Sequence, residues 1–185
     1  MALGYWNTLV NSQVDGSALT AAAAASAIPP AALYTLPANY FDFIGKQLIV
    51  KASGRVSVVA TTPGTLRFDL RFGAAVVCDS QAIALVVTNA YTNINWELEF
   101  RLTCRAIGAT ANLMQGGWFS AANVLGGANV AMPIGGVVAN LPWNTAPAVG
   151  ANFVSTTSQQ IDFFFTQTVA TGSMTVHQYA VYGPN

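Results

Sequence analysis

Trp96-Glu97-Leu98-Glu99-Phe100-Arg101-Leu102-Thr103-Cys104-Arg105 puts an apolar side chain at every second position and a polar or charged one between. Successive side chains of a strand point to opposite faces, so the stretch predicts a strand with one dry and one wet face. On a helix the same apolar residues would be scattered around the axis. A second stretch repeats the pattern: Leu66, Phe68, Leu70 and Phe72 alternate with Arg67, Asp69 and Arg71.

Working outward, residues 47–59 are rich in β-branched side chains and predict a strand, bulged near Gly54. Residues 83–88, 161–168 and 174–182 predict three more. Turn signals separate them at Pro63-Gly64, Gly73, Thr92-Asn93, Gly108, Gly172 and Gly183-Pro184. Many short strands with turns between them predict an all-β fold, a jelly-roll or β-sandwich. Residues 1–36 differ in character. They hold Tyr5, Trp6 and Leu9, then a run of alanines at 21–25, then Pro29-Pro30. The alanines predict a short helical turn near 18–27, and the prolines an extended exit. The division expected is an extended N-terminal arm and linker over 1–36 and a sandwich domain over 37–185. A first strand followed by a linker fits residues 1–36 equally well.

The 185 residues suit one domain with a real core. Apolar residues make up 53% of the chain and charged ones 8%, with seven basic and seven acidic residues cancelling. Ordinary soluble domains carry roughly 25% charge. A chain so poor in charge either sits in a membrane or covers its surface with partner chains. The membrane alternative is disfavoured, because the longest early charge-free stretch, 16–41, contains Pro29, Pro30 and Pro37 and is mostly alanine. Met1 to Trp6 lacks a basic segment, so no secretory signal is expected. The chain is expected to be made in a cytoplasm. Neutral charge with scattered Lys and Arg disfavours nucleic acid as a partner. Residues 106–161 carry no charge at all, hold three glycine pairs, and are expected to touch a neighbouring subunit.

The inventory for chemistry is thin. His177 is the only histidine and sits in a strand pattern, so any Ser-His-Asp or Cys-His site would have to use it. Cys78 and Cys104 are not in a CxxC pair and are expected to be free, buried thiols. No metal site is expected from one histidine and two isolated cysteines. No phosphate loop is present, and no cofactor is expected. Glu97 and Glu99 share a strand face at a spacing that glycosidases use. Arg101, Arg105 and the arginines of 67–71 offer them ion pairs, which would hold both ionised where a glycosidase acid needs a raised pKa. Half of the charges lie on these two strands and are expected on one sheet face, paired across strands. Among the tryptophans, Trp96 is expected in the core, and Trp143 is expected to be exposed, as an interface anchor or a sugar platform.

Leu36-Pro37-Ala38-Asn39-Tyr40-Phe41 is followed by Gly45-Lys46-Gln47-Leu48, Ala52-Ser53-Gly54-Arg55, Thr61-Thr62-Pro63-Gly64-Thr65-Leu66, Leu70-Arg71-Phe72-Gly73, Trp96-Glu97-Leu98-Glu99 and Arg105-Ala106-Ile107-Gly108. This order of turn and strand motifs, from Leu36 to Phe119 with the closing Thr175–Tyr182 strand, resembles the head decoration, or capsid cement, proteins of tailed bacteriophages. The resemblance implies a non-enzymatic jelly roll that forms a homotrimer on the outside of the virion's capsid and binds the major capsid protein. It leaves residues 1–36 and most of 106–161 unmatched. On this reading Tyr5, Trp6 and Leu9 of the arm grip the shell, and Trp118, Phe119 and Trp143 build the oligomer interface. The competing classes are a tail or head-fibre module that binds a host-surface glycan, a jelly-roll hydrolase or lyase, and a free-standing cellular β-sandwich.

Overall fold

A computed structural model describes residues 6–126 and 137–184. Two antiparallel sheets pack face to face. Sheet A has six strands in the order β1 (Trp6–Asn11), β12 (Ser173–Pro184), β4 (Gln47–Val58), β8 (Tyr91–Ala106), β9 (Asn112–Ala121) and β10 (Val137–Leu141). The main path of sheet B is β2 (Ala24–Ser26), β11 (Gln159–Gln167), β5 (Thr65–Phe72) and β6 (Ala75–Asp79). The short β3 (Tyr34–Leu36) pairs with β11, and β7 (Ile83–Ala84) with β5. The all-β sandwich expected from the alternation is therefore the observed architecture.

Strands β4 and β12 lie side by side in sheet A, while their chain neighbours β5 and β11 lie side by side in sheet B. This double pairing is a jelly-roll wrap. By contrast, β8, β9 and β10 run as a meander within sheet A.

Phe68 of β5 packs at the centre of the space between the sheets. Its ring lies 5.6 Å from Phe163 and 5.5 Å from Phe165 of β11, and 5.3 Å from Trp96 of β8 and 5.2 Å from Phe119 of β9. Each of these side chains is essentially inaccessible to water. A second aromatic group, Phe41, Phe72 and Phe153, closes one end of the core.

The segment 6–36 lies on its own sandwich and does not project from it as an arm. β1 pairs with β12, Leu19 bridges Met174, and β2 and β3 add to β11. The alanine run forms no helix. Its end enters β2, because the open edge beside Phe164–Thr166 offers a ladder that outweighs alanine's helix preference. A single 3-10 turn follows at Pro30–Ala32.

The bulge expected near Gly54 is on the partner strand. Val176 opposes Gly54 and Gln178 opposes Ser53, leaving His177 as the extra residue. A Cβ at Gly54 would stand 1.9 Å from the carbonyl oxygen of Thr175, so only glycine permits this approach.

Sheet assignment also corrects the expected clustering of charge. β5 is in sheet B and β8 in sheet A, so Arg67, Asp69 and Arg71 lie on one outer surface and Glu97, Glu99 and Arg101 on the opposite one. Ion pairs form within each sheet, Arg67 with Asp79 and Arg71 with Asp69 on sheet B, and Lys51 with Glu99 on sheet A.

Replacing Phe68 by Ala should cost about 3–5 kcal/mol of unfolding free energy, because it empties the junction of four aromatic contacts. Urea titration followed by tryptophan fluorescence measures this. A loss under about 1 kcal/mol would show that the sheets are held elsewhere.

Candidate functional site

Burying the inner face of sheet A fixes what its outer face carries. Register across the sheet sets outward side chains in rungs. One rung runs Trp118, Glu99, Lys51, Ala180 and Asn11. The rung on one side runs Ser120, Glu97, Ser53 and Gln178, and on the other Gly116, Arg101, Ile49, Tyr182 and Thr8. These rungs form a groove of about 470 Å³, lined by residues that include Asn11, Lys51, Ser53, Glu97, Glu99, Trp118, Gln178 and Tyr182. That is the size of a small-ligand site.

The two aromatic residues stand at opposite ends of the groove. Trp118 is on β9 and Tyr182 on β12, three strand spacings apart across the sheet and one rung apart along it, or about 16 Å. Both are half-buried. Gly116 precedes Trp118 by two residues on the same face, and a Cβ there would meet nothing within 4 Å. The missing side chain leaves open space beside the indole.

The floor between them is polar and pre-ordered. Glu99 is only 6% exposed. Lys51 Nζ lies 3.2 Å from one of its carboxylate oxygens, and Arg101 Nε donates a short hydrogen bond to the other. Burial pushes the Glu99 carboxyl up, but the hydrogen bonds from Arg101 and Lys51 together outweigh it and hold the group below the usual carboxylate range. Ser53 Oγ donates to Gln178 Oε1 at 3.3 Å. At the β1 end, Ser12 Oγ accepts from the Tyr179 N–H at 3.0 Å.

The structure distributes the sequence-derived candidates as follows. Trp118 faces outward into the groove. Phe119, its chain neighbour, points the other way, is 0% exposed and packs on Phe68 and Trp96, so it cannot serve an oligomer interface. Trp143 is half-buried, as Trp118 is, and packs partly against the core, with its backbone N–H donating to the Ser80 carbonyl at 2.7 Å. Leu9 packs partly against the core from β1. Trp6 pairs with Pro184 through its backbone, and Tyr5 lies outside the described residues.

His177 Nδ1 lies 2.9 Å from Asp15 Oδ2 at the β12 bulge, far in role from any nucleophile–base arrangement. Cys78 and Cys104 are free and buried, and burial pushes both thiols up. Among the described residues no group of three or more His, Cys, Asp or Glu could hold a metal ion. No helix among them is long and apolar enough to cross a membrane.

The groove's polar floor was readable from Glu97 and Glu99, but its composition was not. Lys51, Gln178 and Tyr182 join it only through the pairing of β4 with β8 and β12.

No family model matches the chain, and no curated protein matches it. Among solved structures, the CBM2 module of the evolved Dit of Lactobacillus casei BL23 phage J-1 is similar to it at 10% identity and a TM-score of 0.34. That match covers 83% of this chain and 68% of the other. A likeness this distant carries nothing about what the chain does.

Proposed function

We propose that the chain is a non-catalytic carbohydrate-binding β-sandwich, a tail or head-fibre module of a phage virion that recognises a glycan on the host surface. The observation that carries this reading is the groove on sheet A, with Trp118 and Tyr182 at its ends and amides, hydroxyls and carboxylates between. A sugar ring has an apolar face that stacks on an aromatic ring and a rim of hydroxyls that needs fixed donors and acceptors. Trp118 supplies the first with open space beside it. Ser53, Gln178, Asn11 and Glu97 supply the second. The separation of the two aromatic residues suits a short oligosaccharide lying across the strands.

The carboxylates support a reading of binding without turnover. A glycosidase acid must be kept protonated near neutral pH. Lys51 and Arg101 keep Glu99 ionised, and among the described residues no second carboxylate is placed in an apolar pocket beside it. The placement in a virion rests on the turn-and-strand order of Leu36 to Phe119 and not on the groove.

Replacing Trp118 by Ala should weaken binding of the chain to its best host-surface oligosaccharide by about tenfold, the loss expected for one stacked aromatic contact. The fold should survive, because the indole lies outside the core. Calorimetric titration checks this. Unchanged affinity would remove the groove from the binding surface.

A second reading, a homotrimeric capsid decoration protein bound to the major capsid protein, is favoured by a different surface. Phe43, Ile44, Ile107 and Val154 are 52%, 63%, 46% and 39% exposed. They sit on loops knit together at one end of the sandwich, where the Gly45 N–H donates to the Cys104 carbonyl and Gly108 and Ser155 bond reciprocally. Exposed apolar clusters of this kind mark protein contacts. On this reading light scattering of the purified chain gives the mass of three chains, and Ile44→Asp reduces it to one. A monomer at all concentrations leaves the glycan-binding module standing alone.

A further inference from the structure

We infer that Gly116 is a specificity-determining position: its missing side chain keeps open a notch beside Trp118, in which the sugar unit stacked on the indole seats. This inference rests on the carbohydrate reading of the sheet A groove and names the residue that admits the ring.

Glycine inside a strand is unfavourable, because it orders a more flexible backbone and packs no side chain. At Gly54, Gly117 and Gly183 the fold itself demands it. A Cβ there would stand 1.9 Å from the Thr175 carbonyl oxygen, 2.0 Å from the Glu99 carbonyl oxygen and 2.3 Å from the Tyr40 hydroxyl. Gly116 has no such reason. A Cβ at 116 meets nothing within 4 Å, and its φ is not positive. A strand glycine that the fold does not need marks a place where a ligand or another backbone comes close.

Register explains the open space. β10 covers the outer edge of β9 as far as Leu141, which stands opposite Gly117. The chain returns to that edge at Ala148, whose carbonyl accepts from the Gln115 N–H, and Val149 then bridges Met114. Between Leu141 and Ala148 it loops away, drawn toward the end of β6 by the bond from the Trp143 N–H to the Ser80 carbonyl. Gly116 lies in that gap, and residues 144–148, all exposed, rim it.

A sugar is the occupant its neighbours fit. Trp118 is two residues along on the same outward face and offers an aromatic surface for the apolar face of a ring. Arg101 stands opposite Gly116 on β8. Its Nε bonds Glu99, while its side chain is 66% exposed, so the guanidinium offers further N–H groups to ring hydroxyls. The notch adjoins the groove at the Trp118 end and gives the stacked unit a floor of bare backbone.

The test uses the full chain and a printed array of oligosaccharides from bacterial cell-wall and capsular polysaccharides. Affinity for the best-bound array member and the melting temperature are measured for the parent, Gly116→Ala, Gly116→Val and Trp118→Ala. A side chain at 116 meets no clash and supplies a strand former, so Gly116→Val is expected to melt about 2–4 °C above the parent. The same change is expected to weaken binding at least about tenfold, with Gly116→Ala falling between it and the parent. Stability and affinity then move in opposite directions, which a merely structural glycine does not produce. Gly116→Val that melts below the parent, or that binds as the parent does while Trp118→Ala loses affinity, overturns the notch and leaves the groove a glycan site. A changed solution mass for Gly116→Val with unchanged affinity gives the notch to a second copy and overturns the inference likewise. Binding of the parent to no array member overturns the carbohydrate reading itself, and this inference with it.

Discussion

The packing of Phe68 between the sheets is the interaction on which the rest of the molecule depends. One ring from sheet B touches two neighbours in its own sheet and two aromatic residues, Trp96 and Phe119, from the facing sheet. Apolar area removed from water is the main favourable term in folding, and large aromatic side chains supply much of it. Because strand side chains alternate, fixing Trp96 and Phe119 inward also fixes Glu97 and Trp118 outward. The groove is thus a consequence of the core. A one-residue slip of β8 or β9 would bury the groove's polar side chains and expose the aromatic ones.

The same constraint explains why so few charges suffice. Asp69 and Glu99 are nearly buried carboxylates, each covered by arginine or lysine side chains from its own sheet. On sheet B, Arg71 also lies over the Phe164 ring at 3.7 Å, so its guanidinium both pairs with Asp69 and shields an outward aromatic face. These arrangements spend most of the chain's cations.

Local alternation was legible in the sequence and long-range pairing was not. Trp96 to Arg105 and Leu66 to Phe72 announced their strands and the correct inner faces. Which sheet each joined depended on partners far away in the chain, so the charges of β5 and β8 could not be assigned to separate surfaces. The alanine run before Ser26 was misleading for the same reason, since an open edge on β11 decided its conformation. Trp118 and Phe119 both suit an interface by residue type, yet adjacent strand residues face opposite ways. Extending the parity of Leu113 to Phe119 would have put the phenylalanine in the core and the tryptophan on the surface. Tyr182 and Gln178 carried no such signal, because they enter the groove only through the register of β12 on β4.

The measurement that tests the groove most directly is amide and indole chemical-shift mapping of the isotope-labelled chain, titrated with the host-surface oligosaccharide that binds it. The account predicts shifts concentrated on the outer face of sheet A, at the Trp118 indole and the amides near Ser53, Glu97, Gln178 and Tyr182. The apolar loops at Phe43, Ile107 and Val154 should stay silent. Shifts gathered on those loops, with the Trp118 indole unmoved, would contradict it.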